Sequence, residues 1–308
     1  MPLLSALNCL QSAAKFSETV GELAAIAHPT KRARVTRATR RICCLRKVPR
    51  MVTFAAEPGR MFNQYRIKRF KYGIRALIRN ESFAGHCVIC AARTIFVPLG
   101  YGYRDDLKCV RCRSSSRHRA IIHYLANNFA DLKLLKLHEL SPYGAVSRRI
   151  AALCGEYSCS HYFPDASGTP VKGFRNENVE KLTFPDDHFD IVVSQDVFEH
   201  VASPAQGFSE VARVLKSGGS HIFTVPWRSN STTVRRVKFE DGVPLFLEPP
   251  VYHGAPFSRA GSLVITDFGR DILEFIADSS DMQTTVAVLD DRTYGIEHHI
   301  DVFHSIKP

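Results

Sequence analysis

Cys87-x-x-Cys90 and Cys109-x-x-Cys112, separated by 18 residues, have the most chemically specific spacing in this chain. Two such pairs can bring four thiolates to one tetrahedral site. Four sulfur ligands leave no open position for water or substrate, so the expected chemistry is structural zinc binding. Histidines come next, because an imidazole titrates near neutral pH and can take a proton from a hydroxyl. His200 closes the run Phe198-Glu199-His200, and His253 lies in Pro249-Pro250-Val251-Tyr252-His253-Gly254. His200 reads either as a general base or as a residue that caps or packs beneath the following helix. His253 reads either as a base presented at a pocket mouth by a rigid loop or as part of a turn held by its own and Tyr252's hydrogen bonds. His118, His123, His221, His298, His299 and His304 read as structural or exposed.

These groups need elements to hold them. A Pro185-Asp186-Asp187 turn leads into Phe189-Asp190-Ile191-Val192-Val193, a short apolar, β-branched run suited to a strand buried on both faces. Residues 205–216 place Phe208, Val211, Ala212 and Leu215 on one helical face, with Gly218-Gly219 as the stop, and 221–225 supply another apolar strand. Two parallel strands joined by a helix result. Upstream, 132–137 read as a first strand, 145–153 as a helix, 157–160 as a second strand, and 173–175 lie near a third. Downstream, 266–280 read as a helix and the last two apolar runs as strands. Between the cysteine pairs, 96–106 look like a short hairpin, and the segment after Cys112 reads as a helix.

The order FDxVVSxxxFEHV, RVLKSGG and a strand ending in VPW over residues 176–227 resembles the second half of the class I S-adenosylmethionine-dependent methyltransferase domain. The resemblance implies a doubly wound, mostly parallel seven-stranded α/β sheet, its last strand inserted antiparallel beside the fifth. It is similar in particular to a subset with an N-terminal CxxC pair module and a loop of HExSP type. In this fold the cofactor, S-adenosylmethionine, lies across the carboxyl ends of the first strands. The resemblance therefore assigns Glu139, at the acid position of the first loop, to the ammonium end of the methionine moiety. Ser141, Pro142 and Tyr143 stand where glycines are common, and only Gly144 remains, which implies a rearranged loop. His161 occupies the place of the ribose-binding acid, with Asp165 shortly after it. Asn178 falls where an acid often meets adenine, and Ser194, Gln195 and Asp196 lie where cofactor and acceptor meet. Residues 228–261 correspond to an insertion that covers the acceptor pocket, where PxYHGxP offers His253.

A chain of 308 residues with 45% hydrophobic content can bury a full core and leave a smaller module beside it. No apolar run is long enough to span a bilayer and no secretory signal is evident, so a cytoplasmic location is the expectation. Nine cysteines suit a reducing compartment and a metal site better than a disulfide framework. The formal charge of +11 is concentrated in residues 1–80, with 17 Lys and Arg against Glu18, Glu22 and Glu57. Such a tail could meet nucleic acid or an anionic surface, or be a poorly ordered extension. The expected organisation is a basic extension (1–60), a basic amphipathic helix (61–80), a zinc-ribbon-like module (81–116) and a methyltransferase domain (117–308). The leading expectation is methyl transfer to an oxygen or nitrogen of a small molecule or glycan. An RNA base methyltransferase and a non-catalytic zinc-containing binding protein are the alternatives.

Overall fold

The computed structural model describes residues 71, 74–76, 78–79, 81–164, 168–254 and 260–308. The expected extension, most of the amphipathic helix and Asp165 lie outside them. The first described sheet is antiparallel: β1 (Phe83–Cys87), β2 (Ala92–Pro98) and β3 (Leu107–Cys109) in that order. The expected hairpin between the cysteine pairs is instead a strand followed by the short helix α1 (Tyr103–Asp106), whose Asp105 carboxylate accepts from Arg104 and Arg117.

After α2 (Ser116–Asn128) the chain enters the large sheet with β4 (Lys136–Leu140), followed by α3 (Gly144–Leu153), β5 (Glu156–His161), the two-residue β6 (Pro170–Val171) and β7 (Phe174–Asn176). Then come β8 (Phe189–Gln195), α4 (Pro204–Val214) and β9 (Leu215–Thr224). An insertion of short strands follows: β10 (Trp227–Arg228), β11 (Val234–Arg235), the hairpin β12 (Val237–Glu240) and β13 (Val243–Phe246), β14 (Tyr252–His253), β15 (Ser262–Leu263) and β16 (Thr266–Gly269). The chain closes with α5 (Ile272–Ser280), β17 (Gln283–Asp291) and β18 (Ile296–Ile306).

The sheet order is β17-β18-β9-β8-β4-β5-β7-β6, eight strands rather than the expected seven because β6 adds a short antiparallel edge to β7. Pairings from β7 through β9 are parallel, and β18 enters antiparallel between β9 and β17. Helices cover both faces. Ile121, Leu125, Val146 and Ile150 of α2 and α3 pack on one side with Leu137, Ile191 and Val193, while Phe208, Val211, Ile272 and Ile276 of α4 and α5 pack on the other with Val192 and Phe223.

Three boundaries differ from expectation for identifiable reasons. The first strand is shifted to 136–140, because buried His138 and Glu139 belong to it; Leu132–Leu134 form a 3-10 turn. Helix α4 ends at Val214, and Gly218-Gly219 form an irregularity inside β9, with Gly218 at φ +74°. Residues 266–269 are strand rather than helix: a Cβ on Gly269 would meet the Thr232 carbonyl carbon at 2.2 Å, so only glycine permits β16 to lie between β10 and β11.

Candidate functional site

The carboxyl ends of β4, β5 and β8 meet where the strand order reverses, the place at which open α/β sheets bind ligands. Alternation along β4 sends His138 and Glu139 to opposite faces. His138 is buried and neutral, held between the Ser158 and Ser160 hydroxyls at 2.8 and 2.9 Å and stacked on Phe189; burial lowers it to about 3. Glu139 is wholly buried. The Tyr157 hydroxyl donates to its Oε2 at 2.6 Å, while Oε1 meets no partner among the described residues. Burial pushes its carboxyl up to about 7.

The loop after β4 turns through Ser141 at φ +58° and Gly144 at φ +52°. Left-handed backbone favours glycine, and Ser141 takes it without one. Its amide donates to the Ser160 carbonyl at 2.8 Å and its hydroxyl meets His161 Nδ1 at 3.0 Å, so two residues assigned to cofactor binding are joined across β4 and β5. Burial lowers His161 to about 4. A Cβ at Gly144 would meet nothing within 4 Å, leaving open space at the start of α3.

The other assigned positions separate. Asn178 is turned into its own loop, its Oδ1 accepting from the Glu180 amide at 3.0 Å. The Ser194 side chain is buried against the α4 face and bound to His221 Nε2 at 2.9 Å, so only its backbone can face a ligand at the strand end. Gln195 Oε1 is buried without a partner among the described residues. Asp196, at φ +52°, is clamped: Arg104 of α1 donates to both its oxygens at 2.8 and 2.6 Å, Arg117 lies at 3.1 Å, and Thr224 donates at 3.0 Å. Burial works against ionisation here, yet Arg117 and Arg104 hold the Asp196 carboxyl well below the usual carboxylate range. Its oxygens are therefore committed to the N-terminal module rather than to a ribose or an acceptor. Arg104 lies in the stretch expected to be a plain hairpin, and sequence reasoning missed it.

Beyond β8, a 3-10 turn carries Glu199 and His200 toward β14 and β15 of the insertion. His200 Nδ1 lies 2.8 Å from the Leu263 carbonyl oxygen, the packing role expected of one of its two readings. His253, half-exposed on β14, places Nδ1 at 3.7 Å from Glu199 Oε1, and His200 Nε2 lies at 3.6 Å from the same oxygen. The rings stand edge to face with centroids 5.2 Å apart. The neighbouring Glu199 carboxylate raises His253 above the ordinary imidazole value. Glu199 is fully buried, with neither oxygen hydrogen-bonded among the described residues. Sequence reasoning named both histidines but not this acid, although its place between Phe198 and His200 on a buried turn was the available signal.

The four cysteines converge. Their sulfurs all lie within 4.8 Å of one another, Cys87 to Cys112 at 3.6 Å and Cys90 to Cys109 at 3.9 Å. A zinc ion with four Zn–S bonds of about 2.3 Å spaces its sulfurs about 3.8 Å apart, so the donor set and its geometry fit such an ion. Arg119, wholly buried, packs over Phe96 and donates to the Ser114, Leu107 and Gly295 carbonyls. Burial pulls its guanidinium down to about 10, and the nearby Cys87 and Cys109 sulfurs oppose that shift.

Residues 146–223 match the methyltransferase domain family. Over 117 residues the chain is 32% identical to a protein of Mycolicibacterium smegmatis named as a probable S-adenosylmethionine-dependent methyltransferase, covering 36% of this chain and 45% of that protein. A 52-residue stretch is 46% identical to glycine/sarcosine/dimethylglycine N-methyltransferase of Actinopolyspora halophila, covering 17% of this chain and 9% of the other. The crystal structure of an S-adenosylmethionine-dependent methyltransferase from Mesorhizobium loti aligns with a TM-score of 0.41 at 14% identity, over 63% of this chain and 99% of that one. The chain thus spans less than half the length of the curated relatives it matches. These similarities are all to methyltransferases. Among the described residues, no helix is long and apolar enough to cross a membrane.

Proposed function

We propose that this chain transfers a methyl group from S-adenosylmethionine to an oxygen or nitrogen of a small molecule or glycan, and that Cys87, Cys90, Cys109 and Cys112 hold a structural zinc ion. The observation that carries the reading is Glu139: a fully buried carboxylate at the end of β4 with one oxygen unpartnered among the described residues. A cationic ligand group beside it would supply the missing counter-charge. The site fits the cofactor in two further respects, the open space at Gly144 and the unpartnered Gln195 amide oxygen. Glu139 would take the ammonium group, the Ser141–Gly144 turn the methionine carboxylate through backbone amides, and His161 the ribose. Asn178, the backbone of Ser194 and Gln195 would line the remainder.

When bound, S-adenosylmethionine supplies a methyl group already activated on a sulfonium, so alignment and exclusion of water can provide much of the rate. The protein's share is to orient the acceptor beneath the β12–β15 insertion and to accept or displace its proton. That second task falls to the cluster of Glu199, His200 and His253. His253 is its exposed member, and Leu263 fixes the ring of His200.

Calorimetry with S-adenosylmethionine and its demethylated product tests the reading. Binding by the wild type, weakened in Glu139→Ala, is the expected result, and well-folded protein with no affinity for either compound would overturn it. Labelled methyl transfer into cell extracts, with the product sorted into small molecules, RNA and protein, then identifies the acceptor. Label in RNA would favour the RNA base methyltransferase, and binding without transfer would favour a non-catalytic protein.

A further inference from the structure

Glu199 poses a problem that the methyltransferase reading leaves unanswered. Its carboxylate is 0% exposed and neither oxygen has a hydrogen-bond donor among the described residues, an arrangement that is strongly unfavourable unless a positive charge sits beside it. What faces it is the Nε2 of His200. Because a carbonyl oxygen can only accept, the 2.8 Å contact between His200 Nδ1 and the Leu263 oxygen puts the proton of the neutral ring on Nδ1. Nε2 then presents a lone pair toward a carboxylate oxygen 3.6 Å away. Two acceptors facing each other repel, so the pair calls for a cation between them.

We infer that Glu199, His200 and His253 form a second metal centre, distinct from the four cysteines, for a first-row divalent cation. One donor atom from each of Glu199, His200 and His253 lies within 4.8 Å of the other two, and His200 Nε2 and His253 Nδ1 are the nitrogens nearest Glu199 Oε1. The Glu199 Oε1 separations of 3.6 and 3.7 Å are too long for charge-assisted hydrogen bonds, which run about 2.7–2.9 Å. An ion about 2.1 Å from each donor spaces tetrahedral donors about 3.4 Å apart, much nearer to what is observed. The His200 ring also donates its other nitrogen to a backbone carbonyl, the orientation that fixes a metal-ligating imidazole. Two imidazoles and one carboxylate suit zinc, iron, cobalt or manganese and leave coordination positions open. The cysteine set, by contrast, is closed.

The consequence for substrate class rests on the proposed methyl transfer. A cation here would ligate an acceptor hydroxyl and lower its pKa, letting its proton leave to water, so that His253 acts as a ligand rather than as the base. The favoured acceptor is thus one with an oxygen able to bind a metal. The competing account is a protonated His253 serving as the counter-charge of Glu199, without a metal.

The test is a titration of Co2+ alone into full-length protein whose cysteine site already holds zinc, followed by visible absorption. Zinc binds thiolates more tightly than cobalt does, so the cysteine site stays occupied. One equivalent of bound cobalt is expected, with d–d bands and no thiolate charge-transfer band. His253→Ala, a half-exposed change that leaves the fold intact, should weaken it by at least about 100-fold, since loss of a ligand exceeds the effect of an outer-shell change. Glu199→Gln should do the same, with thermal unfolding as its check on folding. No cobalt site in the wild type, or unchanged affinity in His253→Ala, would overturn the inference. Neither result bears on S-adenosylmethionine affinity, so the two proposals fail separately.

Discussion

Glu139 and Glu199 are both sealed from solvent, and the difference between their surroundings determines what each can do. Glu139 has a hydroxyl donor in Tyr157, and burial still raises it from 4.5 to about 7. Between those values the folded protein holds a proton that the unfolded chain has released. Stability from this group is therefore greatest at low pH and declines as pH rises from about 4.5 to about 7. Thermal unfolding of the ligand-free protein across that range should show this loss, amounting to a few kcal/mol, and Glu139→Gln should flatten it. A slope unchanged in the mutant would mean that Glu139 stays ionised. Cofactor affinity should run the other way, increasing above pH 7 as the carboxylate forms opposite the ammonium group. The histidines separate by kinetics. His253→Ala should lower turnover by roughly 10²–10⁴-fold with S-adenosylmethionine affinity nearly unchanged, whether the ring takes the acceptor's proton itself or holds a cation that acidifies the acceptor. His200→Ala, which loses the Leu263 bond, should lower the unfolding midpoint along with the rate. Matching losses of cofactor affinity in both variants would return His253 to a purely structural role.

At the scale of elements, the parts that position the chemistry were readable where one local pattern dictated them. Phe189-Asp190-Ile191-Val192-Val193 is apolar because β8 is buried on both faces, and the 3.6-residue spacing of Phe208, Val211 and Ala212 marks α4 without help from the rest of the fold. The CxxC pairs were equally legible. Strand β4 was misplaced because His138 and Glu139 interrupt its apolar run, and the groups that make their burial tolerable, Ser158, Ser160 and Tyr157, come from a neighbouring strand. A pattern search along the chain has no access to such pairing. Asp196 was found as a residue but not as a partner, since Arg104 reaches it across 92 positions of sequence and Arg117 comes from the helix that follows the cysteine pairs. That clamp joins α1 and α2 to the loop after β8 through a partly buried, bidentate contact, a stronger geometry than a surface ion pair. Arg104→Ala should destabilise the protein by about 1–3 kcal/mol in urea unfolding, short of a full buried-pair loss because Arg117 remains. It should also weaken S-adenosylmethionine binding by freeing the Asp196 turn. Unaltered stability would show the contact to be incidental.

For the molecule as a whole, the cysteine module cannot be treated as an appendage. Cys87, Phe96, Leu107 and Cys109 belong to the same buried cluster as Ile121, Leu137, Ile191 and Val302, so the three-stranded sheet and one face of the eight-stranded sheet share a core. Arg119 strengthens that union: a single buried guanidinium binds the Gly295 carbonyl, just before β18, and the Ser114 and Leu107 carbonyls beside the cysteines. Its charge has no carboxylate opposite it among its hydrogen-bond partners. With the proposed zinc bound, four thiolates around a divalent ion would carry a net negative charge and would serve as the natural counter-ion for Arg119. Loss of the ion should then leave a buried cation poorly compensated and loosen more than the module alone. Cys90→Ser, at a half-buried ligand, is expected to lose zinc by elemental analysis and to speed amide exchange in β1 to β3, α1 and the Asp196 turn. Amides of β8 and β9, at the centre of the large sheet, should remain protected, because Ile191, Val193 and Ile222 keep their packing on α2 and α3. Cofactor affinity should fall together with the protection of the Asp196 turn, since the Arg104 clamp is the path between them. Faster exchange confined to β1 to β3, with cofactor binding intact, would instead mark the module as an independently folding unit whose zinc has no bearing on the site.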